Sequence, residues 1–91
     1  VDFAWNDGKS ERNRVERGLS FDLEIALFDG PVVLEVDSRR NYGERRVKAL
    51  GSVAGETLCC IFTDRGPVRR IISLRNANRR ERNACRQAKL G

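Results

Sequence analysis

Residues 45–74 read RRVKALGSVAGETLCCIFTDRGPVRRIISL, and this stretch decides the fold. It holds three strand-like runs, Arg45 to Ser52, Thr57 to Thr63 and Val68 to Leu74. Between them stand Ala54-Gly55-Glu56 and Asp64-Arg65-Gly66-Pro67, connections so short that the strands must return as antiparallel hairpins. Upstream, Asp29-Gly30-Pro31 stops one element, and the β-branched run Val32-Val33-Leu34-Glu35-Val36 supplies a fourth strand. Asp37 to Gly43 reads as a polar loop.

Outward from this core the periodicity turns helical. Asn6-Asp7-Gly8 is turn chemistry, with Asn6 or Asp7 as cap for a polar helix over Lys9 to Arg17 that Gly18 ends. Ser20 is placed to cap a second helix, in which Phe21, Ile25 and Phe28 share a face at i, i+4 and i+7. At the far end, residues 76–89 are helical, with Asn76 or Ser73 as cap. Asp2-Phe3-Ala4-Trp5 is a short alternation suited to an edge strand, and Trp5 and Phe3 are core residues or stacking platforms for a base. The expected architecture is α+β over residues 1–91 as one domain: two N-terminal helices, a four-stranded antiparallel sheet and a basic C-terminal helix.

Charge is distributed unevenly. Residues 1–64 carry nine basic and twelve acidic side chains, whereas residues 65–91 carry nine basic and one acidic. Fifteen of the eighteen basic residues are arginine, whose planar fork suits phosphate. Such a concentrated basic segment is the footprint of a polyanionic partner. On the last helix Ala77, Glu81, Ala84, Cys85 and Ala88 share one face. Arg75, Arg79, Arg82 and Arg86 are expected to form a stripe beside it, four guanidiniums that repel unless something anionic lies along them. Glu81 is then either a structural ion pair or a positioned catalytic carboxylate.

The chain has three cysteines and no histidine. Adjacent Cys59 and Cys60 point to opposite faces of a strand, and without histidine neither a Cys/His zinc site nor a Cys–His nucleophile can be built. No metal and no cofactor are expected. No apolar run reaches the length of a membrane span and no basic–apolar leader stands first, so no membrane contact and a cytoplasmic location are expected.

Several fragments, in order, resemble one family. Phe3-Ala4-Trp5-Asn6-Asp7 with Lys9 and Asn13, then Gly18-Leu19-Ser20-Phe21, is similar to the N-terminal signature of BrnT-type toxins. Gly43-Glu44-Arg45-Arg46 with Gly51, Thr63 with Arg65, Arg70-Ile71-Ile72-Ser73 with Arg75 and Ala77, and Glu81-Arg82 resemble its later segments. The resemblance implies a RelE-like fold, RNA cleavage that inhibits translation, and a BrnA-like ribbon–helix–helix antitoxin. It also implies promoter DNA bound only through that antitoxin, and a toxin–antitoxin heterotetramer. Two positions depart from the family: its Lys-His pair is Glu16-Arg17 here, and its last-helix tyrosine is Cys85.

Metal-independent RNA cleavage needs a base for the 2′-OH, charge stabilisation at phosphorus and a proton for the leaving oxygen. Arginine, with a pKa above ~12, cannot be the base but can hold phosphate. The expected catalytic set is Arg65, Arg75 and Arg79 as a phosphate clamp, Arg17 as a further electrophile, and Glu44 or Glu81 at the 2′ proton. Glu56 is a third carboxylate to weigh, and Lys9, Lys48 or Tyr42 are candidate acids. Lys9, Arg45, Arg46, Arg70, Arg82 and Arg86 are expected to bind RNA. Two rival readings remain: a catalytically decayed homologue that acts as an antitoxin-binding co-repressor, and a basic nucleic-acid-binding domain unrelated to toxins.

Overall fold

The computed structural model describes residues 2–38 and 43–89; Tyr42 lies outside them. In chain order they form β1 (Asp2–Ala4), α1 (Asp7–Arg17), a 3₁₀ turn (Phe21–Leu23) and α2 (Glu24–Asp29). Four longer strands follow: β2 (Val33–Asp37), β3 (Arg46–Val53), β4 (Glu56–Arg65) and β5 (Val68–Asn76). The last element is α3 (Arg79–Gln87).

The expected four-stranded antiparallel sheet is corrected to a five-stranded mixed one, in the order β1-β5-β4-β3-β2. β2 to β5 form the antiparallel meander. β1 then lies parallel to β5, with Asp2 opposite Val68 and Ala4 opposite Arg70. Three residues are too few to show a period, and no local turn dictates a pairing between segments so distant in the chain. The β3–β4 hairpin turns at Ala54 (φ 52°) and Gly55 (φ 82°), both left-handed as the tightest two-residue hairpin requires.

β4 is buried on both faces, and its alternation sorts the core into two layers. Leu58, Cys60 and Phe62 pack with Phe21, Leu27, Ile71 and Leu74 beneath the 3₁₀ turn and α2. Phe3 and Trp5 pack against this layer, half-buried. Cys59 and Ile61 face the other way and cluster with Leu50 and with Cys85 of α3. Gly51 lets α2 sit close, since a Cβ there would lie 2.8 Å from Leu27 Cδ1 and 3.2 Å from the Pro31 carbonyl.

Two helix expectations need correction. Ser20 makes no side-chain cap, because its hydroxyl bonds the Asp22 carboxylate instead. The first turn after it is 3₁₀, which places residues i and i+3 above one another. Glu24 therefore takes the inward position expected of Ile25: Glu24 is fully buried and Ile25 is 59% exposed. At the C-terminal end, Asn78 caps α3, not Asn76 or Ser73. Asn76 still pairs with Leu58, and the Ala77 N–H donates to the Thr57 carbonyl, so the strand runs on too far for the earlier caps.

Candidate functional site

Arg75 belongs to β5, not to the last helix, so the expected stripe of four is broken. Its guanidinium reaches Glu81 on α3 through two hydrogen bonds of 2.7 and 2.9 Å. Lys48 Nζ adds a third at 3.3 Å, and the Asn78 N–H a fourth at 2.9 Å, which closes the capping box. Glu81 is fully buried. Its carboxyl is held down at about 2, first by the Arg75 hydrogen bonds, against the opposing cost of burial. A carboxylate that saturated has no free lone pair aimed at a substrate; it anchors α3 to the sheet. Arg80 leaves α3 on the β2 side and grips Glu35 at 2.8 and 3.0 Å.

A second carboxylate sits at the other end of the sheet. Glu44 bridges Arg46 at 3.3 Å and Arg65 at 3.1 Å. Its carboxyl lies below the usual range, chiefly because Arg65 donates to it. Cys59, the partner of Arg75, and Arg65 are six residues apart on β4, roughly 20 Å at the rise of an extended strand. Arg65 and Arg75 therefore cannot close on one phosphate. Arg79, at the start of α3, lies beyond the Arg75 end.

The remaining cations divide by partner. Arg14, Arg46, Lys48, Arg65, Arg69, Arg75 and Arg80 all lie within 4.0 Å of a carboxylate. Among the described residues no ion pair is formed by Lys9, Arg12, Arg17, Arg45, Arg70, Arg79, Arg82 or Arg86. On α3, Arg82 donates to the Ala77 carbonyl at 2.8 Å and Arg86 to Asn83 at 3.1 Å.

Three of these unpaired cations meet in one place. A cleft of about 190 Å³ between α1 and β5 is lined by Lys9, Arg12, Asn13, Glu16, Arg17, Phe21, Ile72 and Ser73. Local sequence builds it. Asn6 Oδ1 accepts from the Lys9 N–H to start α1, and Gly18, left-handed at φ 73°, ends it one residue after Arg17. Lys9, Arg12 and Glu16 fall at helical steps and share a flank, and Arg17 lies at its border where the helix ends. Across from them the sheet slips register between Ile61 and Phe62, leaving Ile72 without a cross-strand partner. Arg17 Nη1 lies 3.4 Å from Ser73 Oγ, from the Leu74 carbonyl and from Asn13 Oδ1.

A larger groove of about 380 Å³ lies toward the β2 edge, lined by residues that include Leu34, Val36, Val47 and Phe62. Its Arg69 is held by Asp64 at 2.8 Å and lies over the Phe62 ring, which leaves Arg45 as its one lining cation without an ion pair among the described residues, against three in the cleft.

Of the sequence-picked residues, then, Arg17 and Lys9 come together; Arg65 joins Glu44 and Arg46; Arg75 joins Glu81. Sequence reasoning missed Glu16, Arg12 and Ser73 as cleft residues. The sequence did carry one signal for Glu16: it stands where the resembling family carries one member of a basic pair.

The chain matches, over residues 5–81, the family described as ribonuclease toxin, BrnT, of type II toxin–antitoxin system. It belongs to the BrnT family. Membership makes it a ribonuclease toxin, with RNA as substrate and an antitoxin as partner. No curated protein matches the chain. The matched span takes in the whole α1–β5 cleft and the Arg75–Glu81 pair. In this BrnT chain Cys85, at the place the resemblance gives to a tyrosine, is 3% exposed and its thiol is raised by burial. No helix among the described residues is long and apolar enough to cross a membrane.

Proposed function

We propose that this BrnT toxin cleaves RNA without a metal, with the scissile phosphate seated in the α1–β5 cleft. One observation carries the reading: Lys9, Arg12 and Arg17 line a single cleft beside a serine hydroxyl, and none is neutralised by a carboxylate within the described residues. Cations left unpaired keep their full attraction for an incoming phosphate, whereas paired ones must first give up a partner.

In the proposed step the RNA 2′-oxygen attacks phosphorus and the P–O5′ bond breaks. The products are a 2′,3′-cyclic phosphate and a 5′-hydroxyl. Glu16, at the cleft wall, accepts the 2′ proton; Glu44, held by Arg65 and Arg46 at the far end of the sheet, is out of reach of it. Arg17 and Arg12 stabilise charge on the non-bridging oxygens, and Lys9 supplies the proton to the leaving oxygen. Arg70, exposed in part on β5 and free of an ion pair, extends the track toward Arg65, Arg45 and Arg46. Arg79, Arg82 and Arg86 border it from α3. Glu81 and Arg75 serve the cleft indirectly by fixing α3.

The partner is read as a BrnA-like ribbon–helix–helix antitoxin that carries the promoter DNA contacts, in a heterotetramer. Cleavage in the cytoplasm then inhibits translation. These points rest on the family resemblance. A second reading, a decayed toxin that only binds its antitoxin, is favoured by the buried Cys85 and the absence of histidine.

The deciding experiment incubates the chain with bulk RNA in excess EDTA, beside Arg17→Ala prepared identically. Cleavage by the parent and not by the variant supports the proposal. Equal cleavage by both removes the cleft from the mechanism. If neither cuts and unneutralised expression fails to arrest growth, the decayed reading replaces it.

A further inference from the structure

The β5 edge is covered in two ways. β1 pairs with it at Val68–Arg70, and the stretch beyond is left to α1. There Asn13, half-buried on α1, spends both amide protons on backbone carbonyls. Its Nδ2 donates to the Leu74 carbonyl of β5 at 2.8 Å and to the Leu19 carbonyl, just past the helix, at 2.6 Å. Its Oδ1 stays free to accept from Arg17 Nη1 at 3.4 Å. One side chain thus fastens the helix, the turn that follows it and the strand edge, and touches the guanidinium that overhangs Ser73.

We infer that Asn13 is a positioning residue of the RNA cleft, which fixes α1 against β5 and holds Arg17 over Ser73; this rests on the cleft reading above. The chemistry singles out asparagine. The site asks for two donors and one acceptor at that length of side chain. Aspartate has no donor and would turn a carboxylate on two carbonyl oxygens. Serine has one donor, and glutamine places the same amide one methylene too far. Arg17 needs such a guide because its Nη1 contacts are all long, while its Nε and Nη2 have no partner among the described residues. A guanidinium with open donors in a fixed orientation presents two parallel N–H groups to phosphate without first losing freedom.

The test is a double-variant cycle on the full chain, read as affinity for a short fluorescein-labelled oligoribonucleotide carrying 2′-deoxy substitutions so that it cannot be cut. Arg17→Ala and Asn13→Ala should each weaken binding about tenfold, the worth of ~1.4 kcal/mol. The double variant should bind no more weakly than Arg17→Ala alone, because Asn13 acts through Arg17. Should Asn13→Ala bind as the parent does, or lose the same factor with and without Arg17, the inference is overturned. A purely structural asparagine predicts that second pattern. If Arg17→Ala binds RNA as tightly as the parent, the cleft reading itself fails and takes the inference with it. Where Asn13→Ala loses cooperative melting, Asn13→Ser, which keeps one donor for the Leu74 carbonyl, carries the same comparison.

Discussion

Two clusters of the same side-chain types stand on either side of β5 and do opposite work. Under α3, Arg75 and Lys48 converge on Glu81, and every charge is answered within the protein. In the α1–β5 cleft, Lys9, Arg12 and Arg17 line one space with Ser73 and form no ion pair among the described residues. The first arrangement has spent its electrostatics on folding; in the proposed function the second keeps them for RNA. Basicity alone does not distinguish them. The partner of each cation does, and that depends on which carboxylate the fold brings near.

Breaking the first cluster should produce the largest effect. Glu81→Ala takes from Arg75 and Lys48 the buried carboxylate they share and removes half of the α3 capping box. The cost is about 3–5 kcal/mol, visible as a lower urea midpoint. Arg75→Ala should destabilise comparably, because it leaves the buried Glu81 carboxylate without its two shortest ion-pair hydrogen bonds. The pH dependence has a definite sign. The folded-state carboxyl of Glu81 lies at about 2, below its ordinary 4.5, so its contribution is present above pH ~4.5 and is lost as pH falls toward 2.

Next in size is the cleft. Arg17→Ala should lower RNA cleavage on the order of 100-fold while the melting temperature stays put. A matching fall in stability would erase the contrast between the clusters, because Arg17 would then be structural as well.

A smaller effect is expected at Glu24, which belongs to neither cluster. It is fully buried, and among the described residues no group meets either carboxylate oxygen at full hydrogen-bond geometry, although the Glu24 and Ile25 N–H groups partly oppose the effect of burial. Burial first, then the charge of Asp22, pushes its carboxyl up to about 7 from 4.5. A raised folded-state value means that stability is full below pH ~4.5 and is lost as pH rises through about 7. Glu24→Gln should therefore melt higher than the parent at pH 8, with the gap closing toward pH 4.5. A gap independent of pH would show that the proton is not what Glu24 gains on folding.

Arg80→Ala should do least. The Arg80–Glu35 pair has good geometry, but Arg80 is 60% exposed and water screens it. Its melting temperature should be indistinguishable from the parent's. A clear fall would extend the α3 network outward to the surface.

The legible parts of this protein were those with strong local physics. The β2–β5 meander follows from alternation between tight turns, and α1 follows from Asn6 at its start and Gly18 at its end. The α2 face was misread because a 3₁₀ turn shifts the helical phase, which put Glu24 where Ile25 was expected. The cap at Asn78 is not legible locally, because nothing in the adjoining sequence shows how far β5 runs. The strand position of Arg75 is hidden for the same reason.

The candidate site was half legible. Arg17 and Lys9 were singled out as basic residues in a family-like segment, but not as neighbours of Ser73, which lies 56 positions beyond Arg17.

What the sequence determined by itself is the inventory: basic side chains weighted toward residues 65–91, arginine over lysine, no histidine, and strands that local turns force into a meander. Those are consequences of composition and of interactions a few residues long. Only the tertiary structure decided that β1 joins β5 in parallel, that Glu81 neutralises Arg75, and that Arg17 lies over Ser73 with no ion pair among the described residues. Each of those depends on a contact between distant segments, whose strength is set by burial and by the groups already satisfied there. The same guanidinium becomes a fastening or a binding group according to which carboxylate the fold places beside it.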